Sequence, residues 1–223
     1  GVEFQGSIND FVSNSTGTIT ATLSPAGTAT IDNDFTIASG SFTLTTATSN
    51  LTILGLLTHS GTTFTSNNNA VSVGTFLNNG TFNAPSSSNT LTITAGNFTN
   101  NGTFNASTST TVFAGSTSIL GSTNPTFRNI TIAVGGDLTP PSGVTPLELA
   151  GDFTNNGVFN QGTGTVTFRN TVNGLKTIAG TQPTRFYNLN IENNTSNPDV
   201  SVAGTVNLAN VLTLSSNAIL DAD

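Results

Sequence analysis

Apolar residues alternate with small polar residues along almost the whole chain. The alternation is clear at 19–23 (Ile-Thr-Ala-Thr-Leu), 42–44 (Phe-Thr-Leu), 91–93 (Leu-Thr-Ile) and 211–214 (Val-Leu-Thr-Leu). A period of two is typical of strands with one buried face, and Thr, Val, Ile and Phe all favour strands. No long stretch keeps a helical period, and glycine, asparagine and proline interrupt the pattern every few residues. The sequence therefore predicts an all-β protein.

The chain also repeats itself. Three segments are nearly identical, namely 73–85 (VGTFLNNGTFNAP), 95–107 (AGNFTNNGTFNAS) and 150–162 (AGDFTNNGVFNQG). Aligning Gly74, Gly96 and Gly151 also aligns Phe76 with Phe98 and Phe153, Asn79 with Asn101 and Asn156, and Phe82 with Phe104 and Phe159. A weaker copy contains Gly55, Leu57, Ser60 and Gly61, and a second similarity relates 126–132 (TFRNITI) to 185–191 (RFYNLNI). Repeats of about 20 residues with short strands are typical of solenoids.

We therefore expect one domain over residues 1–223, folded as a right-handed parallel β-helix of about ten coils, each of about 20 residues and stacked about 4.8 Å apart. Phe76 should stack on Phe98, and Phe82 on Phe104. The Asn-Asn-Gly segments should form corners, because Asn and Gly tolerate left-handed backbone angles, and stacked Asn side chains can hydrogen-bond along the rod. The alternative is an antiparallel β-sandwich in which Asn-Gly forms hairpin turns.

Composition excludes several classes of function. The chain has no cysteine, one histidine, four basic residues against eleven acidic ones, and a net charge of −7. A nucleic-acid partner is not expected without a basic face, and thiolate chemistry is excluded. The densest apolar cluster, 51–57, is too short to span a membrane, so no membrane insertion is expected. No Asp, Glu, Lys or Arg lies between Asp34 and Arg128, so Thr, Ser and Asn must keep that part of the chain hydrated.

The repeats resemble a known group of proteins. The segments GNFTNNGTFNASTSTTVFAGS, NPTFRNITI and GDFTNNGVFNQGTGTVTFRN are similar to the Thr/Asn/Gly-rich repeats of giant secreted, adhesin-like surface proteins of bacteria. The likeness covers 73–214 well and 1–54 weakly. It implies a β-solenoid, an extracellular or cell-surface location and a structural or adhesive role, and it carries no catalytic motif. The chain starts at Gly1, as expected of a processed chain or of part of a larger protein.

Candidate chemistry is sparse. His59 has no nucleophile motif around it and is predicted to be a surface corner residue. Asp137, Glu148 and Asp152 lie in one region of the sequence with Arg128 and could meet on neighbouring coils, as a carbohydrate-active enzyme would need. We expect instead that the chain is not an enzyme and needs no cofactor.

Carboxylates and threonines suggest two further possibilities. Asp32 and Asp34 form a weak pattern for a hard cation such as calcium, as do Asp221 and Asp223, but no complete loop motif follows and no metal site is predicted. Thr-x-Thr pairs recur at 20–22, 43–45, 92–94 and 165–167 and resemble a flat threonine array for binding ice. Their sequence spacing is not constant, so a regular array is not expected.

Glycans are a candidate modification. Asn79, Asn97, Asn101 and Asn105 each begin an Asn-x-Ser/Thr sequence in the uncharged region. The number of such sequences is no greater than chance gives in a chain this rich in Asn, Ser and Thr. Glycans at these positions would nevertheless supply hydration that the missing charges do not.

The ends of the chain predict self-assembly. Both ends keep the strand rhythm without Lys or Pro to protect an open edge, and exposed edges pair with other strands. The predicted assembly residues are Val2, Phe4, Ile8, Phe11, Leu212, Leu214 and Ile219. Residues 1–12 are the candidate strand for exchange between subunits, and the expected partner is a second copy joined head to tail. The predicted function is an extracellular filament or stalk subunit, and the alternative is an adhesin that recognises a surface or a glycan.

Overall fold

The computed structural model describes residues 2–4, 6–23, 28–45, 49–193 and 198–222. These residues form strands and contain no helix. The strands pair in parallel and stack as a β-solenoid of about nine coils, with successive coils ~22 residues apart. The predicted all-β solenoid is therefore confirmed. The sandwich is wrong for the described part of the chain, because its strand pairs are not antiparallel.

Three rows of strands run along the solenoid, and we call them faces one, two and three. Face one contains β1 (Val2–Phe4), β4 (Thr18–Leu23), β7 (Ser41–Leu44), β9 (Thr63–Thr65), β11 (Thr81–Asn83), β14 (Thr103–Asn105), β17 (Thr126–Phe127), β20 (Leu147–Leu149), β23 (Thr165–Phe168) and the second halves of β25 (Thr184–Ile191) and β27 (Val206–Leu214). Its ladder is interrupted between β14 and β17.

Faces two and three follow face one within each coil. Face two contains β2 (Ser7–Ile8), β5 (Thr28–Ile31), the first halves of β8 (Asn50–His59) and β10 (Ala70–Asn78), then β12 (Thr90–Ile93), β15 (Thr110–Phe113), β18 (Asn129–Ile132), β21 (Phe153–Asn155), β24 (Lys176–Ala179), β26 (Val200–Val202) and β28 (Leu220–Asp221). Face three contains β3 (Phe11–Ser13), β6 (Phe35–Ile37), the second halves of β8 and β10, then β13 (Phe98–Asn100), β16 (Ser116–Leu120), β19 (Asp137–Thr139), β22 (Val158–Phe159) and the first halves of β25 and β27.

Stacked aromatic rings fill the interior, as predicted. Phe76 pairs in register with Phe98, and their ring centroids lie 4.7 Å apart in a stacked arrangement. Phe82 pairs with Phe104, with centroids 6.1 Å apart and nearly parallel planes. The two columns meet edge to face, because Phe98 lies 5.3 Å from Phe104. Alternation along each strand thus places one continuous apolar core inside the coils.

The third repeat copy lies on a different face from the other two. Phe98 belongs to β13 on face three, whereas Phe153, its equivalent in the sequence alignment, belongs to β21 on face two and pairs with Ile130. The two glycines that start these copies are 55 residues apart, which is not a whole number of coils of ~22 residues. The sequence alignment is therefore not an alignment in space for the third copy.

The second sequence similarity shifts in the same direction. Residues 126–132 run from face one to face two, whereas residues 185–191 run from face three to face one. Both later segments thus lie one face earlier in the coil than the segments they resemble. In both similarities, the later segment repeats the sequence of the earlier one but is rotated by one face around the rod.

The Asn-Gly corners follow a different physical rule from the predicted one. Gly80, Gly102 and Gly157 do not have the left-handed backbone angles that were expected. A β-carbon on Gly80 would instead collide with the backbone oxygen of Gly61, and one on Gly102 with that of Gly80. Glycine is needed at these corners because the backbone of the preceding coil passes too close for any side chain.

Candidate functional site

His59 lies inside the solenoid and not on its surface. Its side chain is fully buried at the end of β8, directly beneath Asn78 of the next coil. The amide nitrogen of Asn78 donates to Oδ1 of Asn100 and to the carbonyl oxygen of Thr103, so its own Oδ1 faces Nδ1 of His59, 2.8 Å away. Burial lowers the pKa of His59, and the hydrogen bond that His59 donates to Asn78 opposes this only in part. The predicted surface position is wrong. His59 is buried because it forms a hydrogen-bonded column inside the solenoid with Asn78 and Asn100 of the next two coils.

A second row of amides lies outside the same corner. Asn79 donates to Ser60 at 3.1 Å, and Asn101 donates to Asn79 at 2.9 Å. On the neighbouring strand, Asn105 donates to Asn83 at 2.7 Å. The predicted asparagine ladders are therefore present. All four candidate glycosylation residues are exposed, and all but Asn97 donate their amide nitrogen within these ladders.

The carboxylates considered for catalysis are separated on the solenoid. Glu148 points outward from face one and pairs with Arg169, N to O 3.0 Å, while Asp137 lies on face three and bonds to Asn160. Asp152, in the corner before face two, accepts from the backbone N–H of Thr177 at 2.8 Å. Each carboxylate thus has a structural partner on an adjacent coil.

Asp32 and Asp34 also have partners within the fold. Asp32 accepts from the hydroxyl of Ser7 at 2.6 Å, and Asp34 accepts from the backbone N–H of Leu56 at 2.8 Å. Within the described ranges, no group of three or more His, Asp or Glu side chains could hold a metal ion. Asp221 lies in β28, and Asp223 lies outside the described residues.

Lys176 is a buried cation that sequence reasoning did not single out. It is 2% exposed in β24, and Nζ donates to the carbonyl oxygen of Val172 at 3.2 Å. Burial lowers the pKa of Lys176, while the nearby negative charge of Asp199 raises it. The sequence could have identified it, because Lys176 occupies an inward-facing position of a strand, and a buried lysine needs oxygen atoms as hydrogen-bond partners.

The first coil exposes part of its apolar surface. Val2 is 38% exposed and Ile8 is 37% exposed, while Phe11 is half-buried. Phe4 is already buried, because its ring packs against Phe11 at 5.2 Å and against Phe35 and Phe42. β1 pairs with β4 of its own chain and leaves its other edge unpaired among the described strands. Of the predicted assembly residues here, Val2 and Ile8 offer the largest exposed fractions.

The last coil exposes a larger apolar surface. Leu212, Leu214 and Ile219 are each about two-fifths exposed, and Leu208 and Val211 are similarly exposed. A cavity of about 390 Å³ opens here and is lined by Leu189, Val202, Val206, Leu208, Leu212 and Leu220. Leu212 pairs with Leu189 of the coil below, so the lining continues the inward columns of the core. The cavity is the core of the solenoid seen from its end.

Comparison with known proteins gives no relative from which a function can be transferred. No protein-family model, curated protein sequence or solved structure matches this chain. In the part of the chain that the structure describes, no helix has the length and apolar character needed to cross a bilayer.

Proposed function

We propose that this chain is a structural unit of an extracellular or cell-surface filament or stalk, and that copies of it join head to tail. The observation that carries the proposal is the apolar mouth of the last coil, where Leu208, Leu212 and Leu214 continue the core columns without a covering layer among the described residues. Apolar columns and unpaired strand edges are stabilised by adding another coil in the same register.

The strand rows favour a second copy of the chain as the covering layer. The last coil ends with face three and face one in β27 and with face two in β28, and the first coil presents β1, β2 and β3 on faces one, two and three. Each row therefore has a strand edge at both ends. Because the ladders are parallel, the strands of the last coil can pair with those of a first coil only when the two copies are arranged head to tail. A contact between unlike ends can be repeated by each added copy and therefore produces a filament.

An extracellular role is supported by composition and by the resemblance of the repeats to those of secreted bacterial surface proteins. The coils consist of Thr- and Asn-rich strands with buried phenylalanines, and the chain contains no cysteine and one lysine. Stacked ladders resist local opening because most strands are bonded on both edges. Such a rod favours a structural role over a catalytic one, because a catalytic site would need several polar groups that converge in a pocket.

The test is the assembly state of the 223-residue chain. Sedimentation velocity and negative-stain electron microscopy over a rising concentration series should show linear oligomers of constant width. Leu212→Asp should suppress them, because it places a carboxylate in the end contact. Leu120→Asp changes an exposed apolar residue on the side of the rod and should leave them intact. A chain that stays monomeric throughout the series would overturn head-to-tail assembly.

A further inference from the structure

Threonine side chains, with one serine and two asparagines, form a regular grid of ten positions on face one. In the first column Thr18 pairs with Ser41, Ser41 with Thr63, Thr63 with Thr81 and Thr81 with Thr103. The second column is Thr20, Thr43, Thr65, Asn83 and Asn105, paired in the same order. The loops between strands absorb the unequal sequence spacing. Of the Thr-x-Thr pairs found in the sequence, only Thr20 and Thr43 contribute to this grid, and Thr92 lies on face two.

The grid has two fixed repeats. Side chains two residues apart on a strand of a parallel sheet lie about 6.6 Å apart, and neighbouring strands lie about 4.8 Å apart. Each threonine offers one hydroxyl and one methyl group, and its β-branch restricts rotation about χ1. Hydroxyls in one column are thus held in nearly equivalent positions. The array is set by the backbone and does not depend on flexible side chains.

Stacked aromatics support the grid from beneath. Between the two columns lie the inward residues Phe42, Phe64, Phe82 and Phe104, all buried. The rings of Phe64 and Phe82 are stacked with centroids 4.9 Å apart, and Phe42 lies 5.3 Å from Phe64. Above them, Asn83 donates to the hydroxyl of Thr65 at 3.1 Å. Because the packed rings and the strand ladder already restrain these side chains, they lose little conformational entropy when a ligand binds.

The absence of charged residues from the strands that carry the grid limits the kinds of ligand that it could bind. The strands β7 to β14 lie wholly within the part of the sequence that has no Asp, Glu, Lys or Arg. Farther along face one the character changes, since Glu148 and Arg169 form an ion pair on its outer side. The grid residues are threonine, serine and asparagine, so the grid lacks the aromatic rings on which sugars stack and the charges that bind ions.

From this geometry we propose that the grid between Thr18 and Asn105 binds the ordered water lattice of an ice surface. An ice surface is a lattice of water molecules with fixed repeats, so a rigid grid of hydroxyls with fixed spacings can contact it at many points at once. A single hydroxyl gains little by exchanging liquid water for ice, because the hydrogen bonds are similar. Many hydroxyls held in register gain together, and the intervening methyl groups order the adjacent water in the same pattern. This inference goes beyond the filament and does not depend on it.

The test is partition of the purified chain into slowly growing ice, with an unrelated protein of similar size as the excluded reference. The chain should be enriched in the ice fraction over that reference. Thr63→Tyr places a bulky ring in the middle of the grid and should reduce enrichment to the reference value. Thr81→Tyr is a second variant for the same purpose, and circular dichroism should show that both fold. Thr139→Tyr, an equivalent change of an exposed threonine on face three, should keep full enrichment.

Three other results would contradict ice binding by the grid on face one. Exclusion of the unmodified chain from ice would overturn the proposal as a whole. Equal enrichment of folded Thr63→Tyr and Thr81→Tyr would overturn face one as the binding surface. Binding to microcrystalline cellulose that is lost in the same two variants, without enrichment in ice, would show that the grid recognises a polysaccharide lattice instead.

Discussion

Nδ1 of His59 lies 2.8 Å from Oδ1 of Asn78 in the interior of the solenoid, where neither side chain reaches solvent. Because the Asn78 amide nitrogen donates to Asn100, His59 must donate its Nδ1 proton. Nε2 is then the unprotonated nitrogen, and it has no hydrogen-bond partner among the described residues. The neutral imidazole is the form that this site accommodates.

Stability should therefore fall in mild acid. The pKa of His59 in the folded chain lies below its ordinary value of 6.5, so the unfolded chain binds a proton first as the pH falls. The free energy of unfolding should be constant above that value and decrease below it, by at most about 1.4 kcal/mol per pH unit. Urea denaturation at several pH values from about 7 to about 5, where carboxylates stay ionised, measures this.

The matched variant for this pH effect is His59→Asn. It extends the inward column of Asn78 and Asn100 by one member and removes the titrating group. Its free energy of unfolding should be nearly independent of pH over the same range. An unchanged pH dependence in His59→Asn would show that another group is responsible.

Adjacent asparagines should respond very differently to the same substitution. Asn100 is fully buried, and its amide nitrogen donates to the carbonyl oxygens of Gly102 and Thr123, whereas Asn101 is exposed. Asn100→Asp replaces two donors by an acceptor facing carbonyl oxygens and should cost about 1–3 kcal/mol or more. Asn101→Asp should cost much less. Equal losses of stability in thermal or urea denaturation would contradict the buried position of Asn100 in the inward asparagine ladder.

Corner glycines should be intolerant of a single methyl group. Gly80→Ala would drive a β-carbon into the backbone of Gly61 and should destabilise the chain by about 1–3 kcal/mol or more. Gly17→Ala is the control, because its β-carbon would meet only the Ser15 hydroxyl at an ordinary 3.8 Å. Comparing the urea midpoints of the two variants measures the effect. A mild Gly80→Ala would show that neighbouring coils can separate at this corner.

Removal of a central ring should be costly. Phe98 is fully buried, and its ring lies within 5.3 Å of those of Phe76, Phe104 and Phe127. Phe98→Ala should lower the free energy of unfolding by about 3–5 kcal/mol, because it leaves a cavity between stacked coils. Val144→Ala, at a fully exposed residue, should leave it almost unchanged. A loss from Phe98→Ala as small as that from Val144→Ala would contradict the packing.

The sequence by itself determined the strands, the solenoid class and much of the core. Alternation of period two requires one face of each strand to be buried, and the first two repeat copies differ by one coil, so the pairing of Phe76 with Phe98 could be predicted. The asparagine ladders could be predicted for the same reason, since equal residues one coil apart must stack. These features depend on local pattern and on a coil length that the repeats themselves display.

Only the tertiary structure decided which face each segment occupies. Phe98 and Phe153 stand in nearly identical segments but lie on faces three and two, because loop lengths between them rotate the coil without changing the strands. The same freedom brings Thr18, Ser41 and Thr63 into one column despite their unequal spacing. Strand alternation specifies inside and outside, whereas the accumulated length of the corners specifies position around the rod. His59 is buried for a related reason: its environment is set by Asn78 on the next coil, a neighbour in space that local sequence does not identify.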